Sequence, residues 1–317
     1  MKRLFQLTLF FTIFSFQLVV AKPVSAQSVS LSITPPVVEI LLSPNKKIIQ
    51  AFTIKNQAES GQFVANLHLV TPIDSEGHVS VSPTPLDPSS TPLLLSLQNA
   101  DLTFNTPFAI KAGESQQLVI SISGSNTDVP LDTYFALVVS SAPSNINSEL
   151  SSTIPGISSL LLVTLTPDGN LPVSLELTDF DPPAVHDSSL PLTLHPLLHN
   201  KTSTMIRTEG KFEVISPRGE TLLSLPLYPH LTLGSSSRLL QSTVDDQPSP
   251  LSWSPSLLNI GPYRLRLTIT SLGGTTIQEI ERTVWLLPIR VLIILAIILL
   301  TLLTLLLYHR RRLLSNT

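Results

Sequence analysis

The chain has 317 residues, a formal net charge of −3 at pH 7 and 13% charged residues, which gives no electrostatic case for a nucleic-acid partner. It contains no cysteine, which excludes both a cysteine nucleophile and disulfide bonds. An exported protein of this kind must be stabilised by core burial alone, which fits a bacterial envelope better than a eukaryotic cell surface.

The first 26 residues have the features of a secretory signal peptide. Lys2 and Arg3 precede an apolar stretch from Leu4 to Ala21, and Val24-Ser25-Ala26 has the pattern of a cleavage site. We therefore expect cleavage after Ala26. The apolar stretch is also long enough for an uncleaved membrane anchor, which remains the alternative.

The region that follows, residues 27–284, is predicted to be all-β because apolar side chains recur at every second position. This alternation is clearest in residues 63–70, 116–123 and 263–270. It is typical of strands with one buried and one solvent-facing side, and it places His68 on the solvent side and Leu69 on the buried side. Many short strands separated by turn residues predict Ig-like β-sandwiches.

Residues 166–172, with the sequence TPDGNLP, are the best candidate for a domain boundary because they carry two prolines and a glycine. They divide the region into domains over residues 27–167 and 168–284, with about eight strands expected in the first and about seven in the second. Each domain has a tyrosine at the start of a late strand, Tyr134 and Tyr263. In Ig-like sandwiches such a tyrosine buries its ring and hydrogen-bonds nearby backbone, so both are predicted to be structural.

The C-terminal region is predicted to form a membrane anchor. From Val291 to Tyr308 there are 18 residues without a charge, of which fourteen are Leu, Ile or Val. As a helix they would extend about 27 Å, close to the thickness of the hydrocarbon core. We therefore predict a single transmembrane helix over residues 285–308.

The residues that flank this helix set its orientation. Trp285 and Tyr308 lie where interfacial aromatic side chains usually lie, and Arg290 can extend its charge to the interface. The tail, residues 309–317, carries a basic cluster that is expected to stay in the cytoplasm, which places residues 27–284 outside the cell. This cluster consists of Arg310, Arg311 and Arg312. The tail is too short to hold a catalytic domain.

A family resemblance is carried by several stretches of the chain. Leu31–Asn56 has a Pro-Pro entry and two strands joined by a turn, and KAGESQQLVISI and DVPLDTYFALVVSSAP have the pattern of later strands. His199–Leu222, followed by GPYRLRLTIT, has the pattern of a second domain. Together with the signal, the helix and the basic tail, these stretches resemble the WxL-interacting class of bacterial surface proteins. The Pro/Ser-rich segment Ser82–Pro92 departs from that pattern.

The resemblance implies a binding protein on the cell surface. Proteins of this class are thought to bind peptidoglycan with the first Ig-like domain and another surface protein or a host component with the second. We therefore predict a single-pass membrane protein whose extracellular domains contact a cell-wall polymer or a surface protein, in binding or adhesion. The alternative is an envelope assembly chaperone of the pilus-chaperone type, because those chaperones also have paired Ig-like domains and donate a strand to a subunit.

The sequence predicts neither catalysis nor a cofactor. It contains no Gly-x-Ser-x-Gly motif and no glycine-rich phosphate loop, so we expect no enzymatic activity. His195 and His199 have the spacing of a metal pair, but the proline between them opposes a helix. Three carboxylates at the start of the second domain are weak candidates for a Ca²⁺ site, although such a set more often forms a solvated loop. They are Asp179, Asp181 and Asp187.

Overall fold

The computed structural model describes residues 30–87, 91–125, 128–142, 156–271 and 276–315, with residues 309–315 described by their backbone alone. The predicted signal peptide and part of the Ser82–Pro92 segment lie outside this set. Within the described residues the chain forms 23 strands and one helix, so the predicted all-β class with a single C-terminal helix is confirmed.

The first sandwich is built from ten strands among the described residues, which are β1 (Leu31–Thr34), β2 (Val37–Leu42), β3 (Lys47–Asn56), β4 (Gly61–Pro72), β5 (Val79–Val81), β6 (Leu93–Leu97), β7 (Pro107–Ile110), β8 (Ser115–Gly124), β9 (Leu131–Ser141) and β10 (Gly156–Leu165). One sheet has the order β1-β3-β8-β6. The other has the order β2-β10-β9-β4, and both β5 and β7 pair with β4.

The first stretch of the chain is divided between these two sheets. β1 pairs antiparallel with β3, whereas β2 pairs in parallel with β10. The chain crosses at Pro35-Pro36, where the missing N–H groups of proline cost the sheets no ladder hydrogen bond. Ser159 Oγ donates to Pro35 O at 2.7 Å, and Leu160 N donates to Pro36 O at 2.9 Å. β2 lies at one end of the strand order of its sheet and is therefore an edge strand.

The second sandwich contains β11 (Leu175–Thr178), β12 (Val185–Asp187), β13 (Leu192–Leu194), β14 (Leu197–Asn200), β15 (Ile206–Ile215), β16 (Thr221–Pro226), β17 (His230–Thr232), β18 (Ser237–Leu239), β19 (Ser242–Val244), β20 (Gln247–Ser249), β21 (Leu251–Trp253), β22 (Gly261–Ser271) and β23 (Thr276–Leu287). Its main sheet has the order β12-β23-β22-β15-β16, with β17 beside β15. The facing sheet has the order β11-β14-β18, and two short pairs, β13-β21 and β19-β20, complete the domain.

The second sandwich repeats the strand division of the first. β11 pairs antiparallel with β14, and β12 pairs in parallel with the last strand, β23. Pro182-Pro183 lies between β11 and β12, as Pro35-Pro36 lies between β1 and β2. Both domains therefore have the Ig-like arrangement of an initial strand that changes sheets and ends parallel to the final strand.

Each sandwich has its own apolar core. Phe52, Leu118 and Ile120 are fully buried in the first core, and Leu265 and Leu267 are fully buried in the second. Leu118, Ile120, Leu265 and Leu267 lie on the sides that the period-two alternation predicts. Burying a side chain of this size contributes about 1.5–3 kcal/mol to the free energy of unfolding. Because the chain has no disulfide bonds, its stability depends on this burial.

The alternation fails at several positions in the first domain, among them His68 and Leu69 of β4. His68 is only 9% exposed and its Nδ1 lies 2.7 Å from Ser82 O, whereas Leu69 is 39% exposed. The predicted exposure of both residues was wrong, because the chain after β5 runs back along β4, where Ser82 N donates to Leu69 O at 2.8 Å.

The number of strands predicted for the second domain was too low, since prolines such as Pro196 divide longer strands into short ones.

The helix, α1 (Ile289–Ser315), follows β23 with only Pro288 between them. It begins at Ile289 and not at Trp285, because Trp285 is still paired with both β22 and β12. The segment Ile289–Tyr308 is long and apolar enough to cross a membrane, and none of it is buried against the sandwiches. At about 1.5 Å per residue it extends about 30 Å, the thickness of a hydrocarbon core.

Replacing Gly210 is expected to destabilise the second domain strongly. A Cβ at Gly210 would lie 2.0 Å from Thr268 O, a backbone atom that cannot move away, and φ at this glycine is +155°. We expect Gly210→Ala to lower the free energy of unfolding by about 3 kcal/mol or more. Urea unfolding of the detergent-solubilised full chain measures this loss.

The matched control for this variant is Gly113→Ala. Gly113 also has a positive φ, +73°, but a Cβ there would have no atom within 4 Å. We expect a cost of about 1 kcal/mol from the backbone conformation alone. Equal losses in the two variants would contradict the close packing of β15 against β22.

Candidate functional site

The outer face of the larger sheet in the first sandwich is apolar. It carries a buried cluster formed by Val70, Tyr134, Ala136 and Leu162. In an isolated sandwich the outer face of an antiparallel sheet is usually solvated and polar. Here three residues of the second sandwich pack on the cluster: Met205, Leu231 and Leu233. The two sandwiches therefore share a small apolar core of their own.

Tyr134 ties the two sandwiches together through its hydroxyl group. The hydroxyl donates to Asp132 Oδ2 at 2.5 Å and accepts from Gly234 N at 2.8 Å. Met205 N donates to the same carboxylate oxygen at 2.5 Å. Burial raises the pKa of both the Asp132 carboxyl and the Tyr134 hydroxyl. The predicted corner tyrosine thus takes its backbone hydrogen bond from the other domain.

A second contact lies at the turn after β4. Asp74 Oδ1 accepts three backbone N–H groups of this turn, and Asp74 Oδ2 lies 2.7 Å from His78 Nδ1. Their hydrogen bond lowers the pKa of Asp74 and raises the pKa of His78. From the second sandwich, Leu239 N donates to Ser75 O at 2.7 Å, and Arg238 packs against the glycine of the turn. The turn and the β17–β18 region of the second domain hold each other in place.

A cleft of about 380 Å³ opens between the two sandwiches beside this shared core. Glu39 of β2 forms an ion pair with Arg207 of β15 across it. Most of the remaining lining is apolar and includes Leu41 of β2, Val173 of the interdomain segment and Ile206 of β15. An apolar cleft with one polar pair is suited to side chains of a bound segment.

The edge strand β2 forms one wall of the cleft. Leu160 N donates to Pro36 O, and Thr166 N donates to Leu42 O. Since residues of a parallel ladder alternate in direction, the even-numbered residues of β2 face β10, and the backbone N–H and C=O groups of residues 37, 39 and 41 face the free edge. The side chains of Val37 and Leu41 are 45% and 53% exposed. An exposed strand edge flanked by apolar side chains is a template for pairing with another chain.

The structure does not bring the three candidate Ca²⁺ ligands together. Asp181 forms an ion pair with Arg282 at 3.1 Å, and Asp187 Oδ1 accepts hydrogen bonds from Ser189 N at 3.0 Å and Ser189 Oγ at 2.8 Å. The backbone hydrogen bond from Ser189 is the main cause of the lowered pKa of Asp187. Asp179 lies in a left-handed turn conformation, with φ of +58°. Across the described ranges no group of three or more potential metal ligands occurs.

The two spaced histidines are also separated. His195 is exposed in the break between β13 and β14, whereas His199 is half-buried in β14 with its Nδ1 3.1 Å from Ser237 Oγ. Tyr263, the second predicted corner tyrosine, is buried against Trp253, and its hydroxyl accepts a hydrogen bond from Asn259 Nδ2 at 3.0 Å. The contacts of His199 and Tyr263 are thus made within the second sandwich.

The predicted anchor residues occupy different elements. Trp285 belongs to β23, Arg290 is the second residue of α1, and Tyr308 is exposed at the end of its apolar segment. The side chains of Arg310, Arg311 and Arg312 lie outside the described part of the chain.

Sequence reasoning missed the interdomain cleft and the edge strand beside it. A signal was present, because five of the six residues of β2 are apolar and they occupy both sides of the strand. Such a run indicates that both faces of a strand meet other parts of a protein. The sequence did not reveal that the second face of β2 lies against the other domain.

Comparisons with known proteins support no family assignment. No family model matches the chain, and no curated protein matches it. Among solved structures, a chain of the chaperone–tip adhesin complex of CFA/I fimbriae aligns with 80% of this chain and 98% of its own, at 8% identity and a TM-score of 0.41. The E. coli chaperone DraB aligns with 81% of this chain and 99% of its own, at 12% identity and a TM-score of 0.35. Similarity at these scores does not indicate a function. The resemblance to WxL-interacting proteins stays a prediction.

Tyr134→Phe is expected to loosen the contact between the sandwiches. The variant removes the acceptor of Gly234 N and the donor to Asp132, which are both part of the buried contact. We expect a loss of about 1–3 kcal/mol and faster proteolytic cleavage of residues 166–174. Tyr263→Phe is the control, since its hydroxyl bonds only within the second sandwich; it should leave that cleavage rate unchanged, and an equal increase would contradict the assignment.

The stability of the second sandwich is expected to fall in mild acid because of His230. Burial lowers the pKa of His230 to about 4, from an ordinary value of 6.5, so the folded chain keeps this ring neutral. The neutral His230 ring contributes fully to the free energy of unfolding above pH 6.5. This contribution is lost as the pH falls toward 4, because the histidine of the unfolded chain is protonated at a higher pH than that of the folded chain. Urea unfolding of the full chain at pH 7 and pH 5 measures the slope, which His230→Gln should reduce; an unchanged slope would contradict it.

Proposed function

We propose that this chain is a membrane-tethered binding protein that holds an extended segment of another envelope protein along the free edge of β2. This is the role of an assembly chaperone, which the sequence analysis gave as the alternative to a role in adhesion. Holding a segment in this way requires no catalytic group, so we expect no enzymatic activity. The observation that carries the proposal is the exposed edge of β2 at the mouth of the apolar cleft.

Strand addition fits the chemistry of this edge. The backbone groups of residues 37, 39 and 41 can form main-chain hydrogen bonds with an added strand, which provide affinity without reading its sequence. Alternate side chains of that strand would contact Val37 and Leu41 or enter the cleft. The Glu39–Arg207 pair lies in the middle of this wall and can orient a polar group of the partner. The partner is therefore a protein segment that is extended, largely apolar and not yet paired with its own sheet.

A tether is consistent with the C-terminal helix. The segment Ile289–Tyr308 can cross a bilayer, and the Arg310–Arg312 cluster favours a cytoplasmic C-terminus. In this orientation both sandwiches lie on the outer side of the membrane. Envelope proteins that emerge on this side of the membrane would then have access to the edge of β2. Contact with a cell-wall polymer, the main prediction from the sequence, has no comparable feature among the described residues to support it.

Leu41→Pro tests strand addition directly. Proline removes an N–H group that faces the free edge and leaves the ladder to β10 intact, since that ladder uses the even-numbered residues. The full chain would carry a photoreactive amino acid at position 37 and be irradiated in cells. We expect Leu41→Pro to reduce the cross-linked adduct by roughly five- to tenfold, as the loss of one hydrogen bond of about 1–1.4 kcal/mol predicts.

Two controls are needed. One distinguishes loss of the backbone N–H group from loss of the leucine side chain, and the other distinguishes binding at β2 from nonspecific cross-linking at an exposed surface. Leu41→Ala keeps the N–H group, so the adduct should fall less than with proline. Leu94 lies on β6, the edge strand of the opposite sheet, and is 64% exposed, so a photoreactive group there should give no adduct. Equal adducts at positions 37 and 94, or an adduct insensitive to Leu41→Pro, would rule out strand addition at β2.

A further inference from the structure

The end of the second sandwich from which α1 leaves carries an exposed apolar rim. We define the rim by five residues: Val185, Leu257, Leu258, Ile260 and Trp285. Leu258 is 87% exposed, and the other four are 49% to 54% exposed. Residues 247–263, which contain three of the five, include no Asp, Glu, Lys or Arg. A cluster of large apolar side chains at the surface marks a contact with a partner or a membrane.

The rim lies beside the origin of the helix. Gly261, which follows Ile260, pairs with Leu286, and Val185 pairs with Trp285. Trp285 and Leu286 belong to the last three residues of β23, which ends at Leu287, just before Pro288 and the start of α1. Strand register therefore places the rim at the same end of the sheet as the first turn of the helix.

The leucines are held outward by a hydrogen-bonded turn. Asn259 N donates to Ser256 O at 2.9 Å, which closes a turn with Leu257 and Leu258 at its tip. Asn259 Oδ1 accepts from Ser256 N at 2.6 Å, and Asn259 Nδ2 donates to Tyr263 OH at 3.0 Å. The tip of a surface turn usually carries glycine, asparagine or another polar residue. A hydrogen-bonded turn that holds two leucine side chains at the protein surface is suited to contact with an apolar environment.

The start of α1 is fixed to the same sandwich. Ser188 N donates to Leu287 O at 3.0 Å, and Asp187 Oδ2 accepts from Arg290 N at 3.2 Å. The Arg290 guanidinium also lies near this carboxylate, with its Nε 3.7 Å from Asp187 Oδ2. Asp187 thus satisfies one of the N–H groups that the first turn of a helix leaves free. The orientation of the sandwich relative to the helix is set by these bonds.

We propose that the rim sits in the interfacial layer of the same bilayer that α1 crosses. This inference depends on α1 spanning the membrane, as in the proposed function. The bilayer is the occupant because the rim is continuous with the start of the apolar helix, is uncharged, and includes a tryptophan at the depth where interfacial tryptophans lie. Arg290, at the first turn of α1, lies at the depth of the lipid headgroups. The second sandwich then rests on the membrane, and the first projects from it in a fixed direction.

A site-directed fluorescent probe tests this placement in the full chain. The protein has no cysteine, so a single Leu258→Cys substitution can carry an environment-sensitive fluorophore. The labelled chain is placed in phosphatidylcholine–phosphatidylglycerol vesicles that contain a lipid with a quencher at the shallow end of its acyl chain. We expect quenching to be roughly threefold stronger for Leu258→Cys than for Leu94→Cys, which replaces another exposed leucine, in the first sandwich.

Further labelled chains separate the possible outcomes. A probe at Leu299→Cys, near the middle of the apolar segment Ile289–Tyr308, reports by its emission wavelength whether the helix is in the bilayer. Emission typical of water there overturns the membrane tether and with it the rim contact. Apolar emission at Leu299→Cys together with equal, weak quenching at Leu258→Cys and Leu94→Cys overturns the rim contact alone. Self-quenching at Leu258→Cys that grows with protein density, without quenching by lipid, would assign the rim to a second copy of the chain.

A charge variant checks that the contact depends on the leucine tip. With the probe at Ile260→Cys, adding Leu258→Glu should reduce quenching by lipid by roughly half or more, because a carboxylate is expelled from the interface. Leu258 is almost fully exposed, so the variant should keep its fold. Undiminished quenching would overturn the role of this tip.

Discussion

The hydrogen bonds of Tyr134 are the interaction on which the functional geometry depends. The tyrosine joins a buried carboxylate, Asp132, to the backbone of the other domain at Gly234. The apolar residues around it exclude water, and in such surroundings hydrogen bonds gain strength and unpaired groups become costly. Two Ig-like domains joined by a nine-residue segment would otherwise move freely. Because this contact fixes them, the cleft beside it has a defined shape.

The cleft matters because an edge strand forms its wall. A sheet edge is a liability in an exported protein, and natural proteins usually cover or charge it. Here β2 carries one charge, Glu39, and that charge is paired with Arg207 from the opposite domain. The second domain therefore leaves the edge usable while its own Met205 and Leu231 bury the neighbouring face. Strand addition, as proposed, would use the part of the edge that remains.

The other end of the second domain has a similar coupling, between β12 and the start of α1. Asp187 joins β12 to the first turn of α1, so the last strand and the helix form one continuous support. An apolar turn beside that junction, closed by Ser256 and Asn259, would complete the contact with lipid. The two proposals together describe one arrangement, in which the sandwiches would extend in a fixed direction from the membrane and present the edge of β2 to a partner.

Alternating apolar residues and turn residues determined the all-β class, and the uninterrupted apolar run determined the C-terminal helix, because these are local properties of the chain. The period-two pattern correctly identified the buried sides around Leu118 and Leu265. It failed at His68, where a later segment covers a face that the strand itself cannot specify. The partner of Tyr134, the pairing of Glu39 with Arg207 and the free edge of β2 were decided only by the tertiary structure. Each depends on residues about 100 or more positions apart, and no local periodicity encodes which distant groups meet.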